Sequence, residues 1–287
     1  MPNPTPNRSS VPLEMPRLGL GTWRMGERAS ARAAEVAAVR LALDIGYRLV
    51  DTAEMYGEGG AEEVVGQALA EALRAGAHTR ESVCIVSKAY PHHASRRELP
   101  AACDRSRRRL GVDRIDVYLL HWRGDVPLQE TVDAMEDLVE RGRIGRWGVS
   151  NFDTDDMAEL VSLPGGRGCA TNQVYYSLGE RGPEYGLLPW QRERSLPLMA
   201  YSPIDQGALA EAPVLHEIGS GHGADAAQVA LAWVCAQAGV VAIPKAVRAE
   251  HLRANWAAQD LRLTPEDLAR LDAAFPPPRR KQRLAMI

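Results

Sequence analysis

Short apolar runs alternate along this chain with longer stretches of helical periodicity. The runs fall at 19–22, 47–51, 83–87, 115–120, 146–149, 171–174, 197–200 and 240–243. Between them, residues 32–44, 61–74, 96–110, 128–141, 154–163, 184–194 and 225–238 repeat apolar positions at helical spacing. Two more helices are expected after the last run, at 249–257 and 264–274. Thr264 and Pro265 give the second of these an N-cap and a first-turn proline, and Pro276, Pro277 and Pro278 end it. Runs that are apolar throughout belong to parallel strands covered on both faces. Eight of them alternating with helices predict an α/β fold, the (β/α)8 TIM barrel, as a single domain. Prolines at 2, 4, 6, 12 and 16 predict an irregular N-terminal arm over 1–16, which leaves 17–287 for the barrel with a short C-terminal helix and tail.

Composition narrows the function without naming it. The 34 Lys and Arg residues stand against 37 Asp and Glu, a net charge of −3. That balance offers no bulk attraction to nucleic acid or to an anionic membrane. Cys84, Cys103, Cys169 and Cys235 are far apart and form no CxxC pair, which fits a reducing compartment. Residues 1–10 lack the apolar core of a signal peptide, and no run is long enough to span a bilayer. The expectation is a cytoplasmic monomer with a small-molecule partner and neither nucleic acid nor membrane.

The chemistry concentrates at strand ends. Asp51 closes the run at 47–51, Tyr56 lies in the loop after it, Lys88 follows 83–87, and His121 follows 115–120. In a β/α barrel such strand ends open onto one common mouth. A carboxylate, a phenol, an ammonium and an imidazole meeting there can move a proton. The ammonium is expected to stabilise a phenolate and lower the phenol's pKa, while the carboxylate keeps the ammonium charged. The histidine can orient a carbonyl oxygen. Such an assembly gives a proton to a carbonyl oxygen as hydride reaches the carbon, or takes one from an alcohol in reverse. No side chain supplies hydride, so a nicotinamide cofactor is implied. No G-x-G-x-x-G or P-loop is present, which argues against a Rossmann domain but not against a nicotinamide held at a barrel mouth. Trp23, Tyr90 and Trp122 follow strand ends and are expected to line the substrate pocket. Asp116 is mid-strand, where a structural hydrogen bond is expected, and His92-His93 reads as loop surface.

Several segments together resemble the aldo-keto reductase family over nearly the whole chain. They are Gly19-Leu20-Gly21-Thr22-Trp23, the stretch 46–57, Leu119-Leu120-His121-Trp122, the stretch 147–152, Asn172-Gln173-Val174, Ala200-Tyr201-Ser202-Pro203, and Ile243-Pro244-Lys245 followed by Asn255. The short bacterial branch that includes methylglyoxal reductases is the most similar. The resemblance implies NADPH, with NADH as an alternative, and reduction of small aldehydes and ketoaldehydes with Asp51, Tyr56, Lys88 and His121 as the catalytic set. It implies further that Gly21, Thr22 and Asp51 border the cofactor and that Ser150, Asn151 and Gln173 hold the nicotinamide carboxamide. Tyr201 would stack on the ring, Ser202, Ile204 and Gln206 would follow the pyrophosphate, Lys245 would face the 2′-phosphate, and Asn255 the adenine.

The sequence departs from the family pattern at the phosphate. Ala246 stands where many members carry serine, and His251 where many carry arginine; Arg248 is near enough in sequence to assist Lys245. Two other functions fit the same barrel: a metal-dependent hydrolase using Asp51 and His121, and a cofactor-sensing subunit without turnover. Only twelve residues follow Phe275, so the tail is expected to leave the mouth open.

Overall fold

The computed structural model describes residues 15–287, so the expected arm over 1–16 lies outside the described residues except for Met15 and Pro16. Eight parallel strands pair in chain order: β1 Leu20–Gly21, β2 Leu49–Asp51, β3 Cys84–Ala89, β4 Ile115–Leu120, β5 Ile144–Ser150, β6 Cys169–Tyr175, β7 Leu198–Tyr201 and β8 Val240–Ala242. The sheet closes on itself. Leu18 bridges Ala242 and Gly21 bridges Lys245, with Gly19 N donating to Ala242 O at 2.8 Å. A Cβ on Gly21 would meet Ile243 O at 2.6 Å, so the seam between first and last strand needs glycine there.

Ten helices accompany the strands among the described residues: α1 Arg32–Ile45, α2 Gly60–Arg74, α3 Glu98–Leu110, α4 Leu128–Glu140, α5 Thr154–Ser162, α6 Leu187–Glu193, α7 Pro213–His222, α8 Ala226–Cys235, α9 Ala249–Ala258 and α10 Pro265–Ala274. The capping signals act as their chemistry requires. Asp153, Asp225 and Thr264 accept first-turn backbone N–H groups of α5, α8 and α10. None of these helices is long and apolar enough to cross a membrane.

Two segments differ from the sequence reading. Helix α6 starts at Leu187 rather than near 184, because Gly186, with φ −145°, separates it from a 3-10 turn at Gly182–Tyr185. Helix α7 has no counterpart among the expected elements. Its Gly219 and Gly221 weaken helix propensity, and packing of Leu215 and Ile218 into the core supplies what propensity does not.

The apolar residues divide into two layers. The larger lies between strands and helices. The smaller fills the barrel with Leu49, Val86, Val117, Leu119, Met199, Val241 and Ile243. Side chains of a strand alternate between faces, so a residue two positions past an interior one also points inward. Asp51 follows Leu49, Lys88 follows Val86, His121 follows Leu119 and Tyr201 follows Met199. The polar groups at the C-terminal mouth are therefore the next layer above the hydrophobic plug. Asp116 performs the structural task expected of it, accepting from Ile85 N at 2.8 Å and Arg80 Nη2 at 2.7 Å.

Candidate active site

The inner layer brings Asp51, Tyr56 and Lys88 into direct contact. Lys88 is wholly buried at the end of β3, and its ammonium donates to three oxygens. These are Asp51 Oδ2 at 2.8 Å, the Thr52 carbonyl at 2.8 Å and the Tyr56 hydroxyl at 3.2 Å. Its Nζ also stands 4.8 Å from the centroid of the Tyr56 ring. Asp51 uses its other oxygen to accept from Gln173 Nε2 at 2.7 Å. Gln173 thus reaches from β6 across the barrel and fixes the carboxylate from the far side. Because the Tyr56 oxygen accepts from the ammonium, its own proton is free to be given elsewhere.

Burial and charge compete at each group. Burial raises the Asp51 carboxyl above its ordinary value, against the pull of Lys88 and Gln173. Burial alone would lower Lys88, but Asp51 and Tyr56 reverse it and hold the ammonium charged. The Tyr56 phenol is raised, with burial outweighing the ammonium. This corrects the sequence expectation of a lowered phenol: the Lys88 attraction is present, but desolvation of a phenolate in this closed layer is larger. Tyr56 is therefore a protonated acid at neutral pH.

His121, at the end of β4, faces Tyr56 with ring centroids 5.8 Å apart. Burial first, and then the Lys88 charge, push its pKa well below the usual histidine value. The ring is neutral at neutral pH. Its buried Nδ1 has no hydrogen-bond partner among the described residues. A buried N–H without an acceptor is costly, so the single proton belongs on Nε2. Asn151, just past the end of β5, holds the His121 backbone: its Nδ2 donates to His121 O at 3.0 Å, and its Oδ1 accepts from Tyr201 at 3.0 Å. The left-handed backbone of Asn151, φ 61°, turns its side chain back toward these partners.

Above these groups opens a cavity of about 590 Å³. Of the residues expected to meet a cofactor, Gly21, Thr22, Asp51, Ser150, Asn151, Gln173, Tyr201, Ser202, Ile204, Gln206, Lys245 and His251 line it. Asn255 is buried on α9 and does not. Trp23 and Trp122, expected to meet substrate, line the same cavity. Tyr90 does not reach the lining; it stands edge-on to Trp122 at 6.1 Å, with its hydroxyl donating to Glu58 at 2.9 Å. Arg248 is engaged by His251 and by Glu250, the latter at 3.2 Å, while Lys245 is an exposed cation in the cavity's lining.

Several lining residues escaped the sequence reading, among them Arg24, Met55, Met286 and Ile287. The last two correct the expectation of an uncovered mouth. Arg181 grips the Phe275 carbonyl at 2.6 Å and Asp272 at 2.7 Å, Lys281 pairs with Asp155, and Leu284 packs on the core. These contacts lead the tail over the C-terminal face. An apolar group, Leu284, Met286 and Ile287, after the basic stretch 279–283 was the available signal.

His93, expected at the surface, gives Nδ1 to the buried Glu54 at 2.8 Å, and the same carboxylate accepts Tyr90 N at 2.8 Å. That contact braces the loop carrying Tyr56. Among the described residues no three His, Cys, Asp or Glu side chains converge as a metal-ligand set.

The sequence profile of the aldo/keto reductase family matches residues 17–275. The chain belongs to the aldo/keto reductase family. It is 49% identical over 280 residues to methylglyoxal reductase YeaE of Escherichia coli K12, covering 96% of each chain. It is 33% identical over 274 residues to a glyoxal reductase of Bacillus subtilis, covering 94% of each. An aldo/keto reductase from Klebsiella pneumoniae, crystallised with NADP and acetate, superposes with a TM-score of 0.91 at 51% identity, over 95% of this chain and 96% of that one.

The state of His121 is directly observable. Nitrogen shifts from a ¹⁵N-histidine sample should report a neutral Nε2–H ring through the neutral range and on past the pH at which a free histidine takes up its proton. Protonation near the ordinary value of about 6.5 would contradict the assigned environment.

Proposed function

We propose that this protein is an NADPH-dependent reductase of small aldehydes and ketoaldehydes, methylglyoxal among them. The observation that carries this reading is the Tyr56 hydroxyl, 3.2 Å from a buried ammonium and facing a neutral imidazole across the cavity floor. The names of the similar reductases and the NADP in the related crystal structure support the same reading.

The cavity suits a dinucleotide. Trp23, Trp122, the Tyr201 ring, the Asn151 amide and the Lys245 ammonium all line it. An aromatic face, side-chain amides and a terminal cation match a nicotinamide, its carboxamide and a phosphate. NADPH bound there supplies the hydride. Tyr201 holds a planar ring against the cavity wall, and Ser150, Asn151 and Gln173 present polar groups at one end of it. A substrate carbonyl enters between Trp23 and Trp122. His121 Nε2–H and the Tyr56 hydroxyl both donate to its oxygen, which polarises the carbon. As negative charge grows on that oxygen, Tyr56 passes its proton across. The Lys88 ammonium then stabilises the phenolate left behind, and Asp51 keeps the ammonium in place. Met286 and Ile287 join the cavity's lining, which leaves less room for ligands the size of a steroid than for small carbonyl compounds.

A carbonyl panel followed by NADPH absorbance tests the reading. Methylglyoxal or a small aromatic aldehyde should show a higher kcat/KM than any ketosteroid. Tyr56→Phe should lose about 10² to 10⁴ in kcat while its NADPH affinity stays near wild type. No turnover of any carbonyl despite tight NADPH binding would favour a cofactor-sensing role, and more than a tenth of wild-type kcat in Tyr56→Phe would remove Tyr56 as the acid.

Lys245→Ala should weaken NADPH binding at least tenfold more than NADH binding, because its charge is needed only by the 2′-phosphate. Cofactor titrations by fluorescence measure this. Equal losses would place the phosphate elsewhere.

A further inference from the structure

The loop after β7 holds an unusual backbone. Ser202, Asp205 and Gln206 all have positive φ, at 48°, 52° and 53°, and Gly207 follows at 99°. Non-glycine residues are disfavoured in this left-handed region and persist there only where surrounding contacts over-determine them. Five residues of the loop, Ser202, Pro203, Ile204, Gln206 and Gly207, line the cavity; Asp205 alone between them does not. Its carboxylate is turned outward, where it accepts a hydrogen bond from the Tyr175 hydroxyl. The other Asp205 oxygen lies over Gly179, where a Cβ would meet it at 2.7 Å, so the carboxylate fits because that position is glycine. Tyr175 in turn stacks on Tyr201, with ring centroids 5.7 Å apart and planes 15° from parallel.

We propose that Tyr175 and Asp205 form a clasp that holds the 202–207 loop over the cofactor and governs how fast the cofactor leaves. The proposal rests on the reading of the cavity as the NADPH site. Two physical demands meet in the clasp. A carboxylate on a loop that follows a pyrophosphate would repel it, and the bond to Tyr175 keeps that charge turned outward. The strained turn needs an external hold, and Asp205 is the residue in its middle. Burial and the neighbouring carboxylate both raise the Tyr175 phenol, so it stays a donor throughout the neutral range. The contact between Tyr175 and Tyr201 joins the loop's hold to the ring that faces the nicotinamide. Tyr175 and Asp205 are thus positioning residues that touch neither substrate nor the reacting atoms.

Stopped-flow release of NADPH, read by its fluorescence after mixing with excess NADP⁺, tests the clasp without turnover. Tyr175→Phe should release NADPH about tenfold faster, the lower end of what a hydrogen bond to a charged acceptor contributes. Asp205→Ala should do the same, and the double variant should be no faster than either single one. Asp205→Asn keeps an acceptor oxygen and should stay within about twofold of wild type. Unchanged release in Tyr175→Phe, or effects of the two substitutions that multiply, would overturn the clasp. Failure of the wild-type protein to bind NADPH at all would instead overturn the functional reading on which it rests.

Discussion

Lys88 has no contact with solvent, and an ammonium in that position must be surrounded by oxygen. Three oxygens from three different places supply the shell: a carboxylate at the end of β2, a carbonyl in the loop after it, and a phenol farther along the same loop. Each is held by something else. Asp51 is held by Gln173 from across the barrel, and the loop is braced where Glu54 receives Tyr90 and His93. Removing one partner from a buried pair of this kind typically costs about 3 to 5 kcal/mol, because the other charge stays behind. The mouth of the barrel is therefore rigid where the chemistry requires it, and its geometry follows from satisfying one cation.

The barrel makes this arrangement possible by alternation. Leu49, Val86, Leu119 and Met199 plug the interior, and the residues two positions on, Asp51, Lys88, His121 and Tyr201, form the layer above. The hydrophobic plug below excludes water, which raises the Tyr56 phenol and lowers His121. The same dryness keeps the acid protonated and the imidazole neutral. The strap after β7, built from left-handed backbone with its own external hold, borders the same cavity.

Much of this was legible in the sequence, for physical reasons. Strand β4 was readable residue for residue because six consecutive positions are buried or nearly so. The strand-end polar residues stood out because each interrupts an apolar run. Other features depend on contacts that sequence spacing does not carry. Helix α7 is glycine-weakened and exists because the core takes Leu215 and Ile218. The approach of Met286 and Ile287 depends on Arg181 and Lys281 finding partners far away in sequence. Tyr90 follows a strand end as Trp122 does, but its hydroxyl turns to Glu58 and its ring stays behind the tryptophan. The direction of the Tyr56 shift is not legible in the sequence, because a nearby charge can be read from residue types whereas the depth of burial that opposes it cannot.

Lys88 pulls the Tyr56 phenol down against the burial that raises it. The most direct test is the pH profile of alcohol oxidation with NADP⁺, which needs the phenolate. It should be compared between wild type and Lys88→Met, with Lys88→Met/Asp51→Asn as the partner variant that leaves no unpaired buried charge. Loss of the ammonium removes the one group that favours phenolate, so the ascending limb should move to higher pH in Lys88→Met, and by less in the double variant because the Asp51 charge that opposes phenolate is removed with it. Profiles that superpose on the wild type would contradict the account.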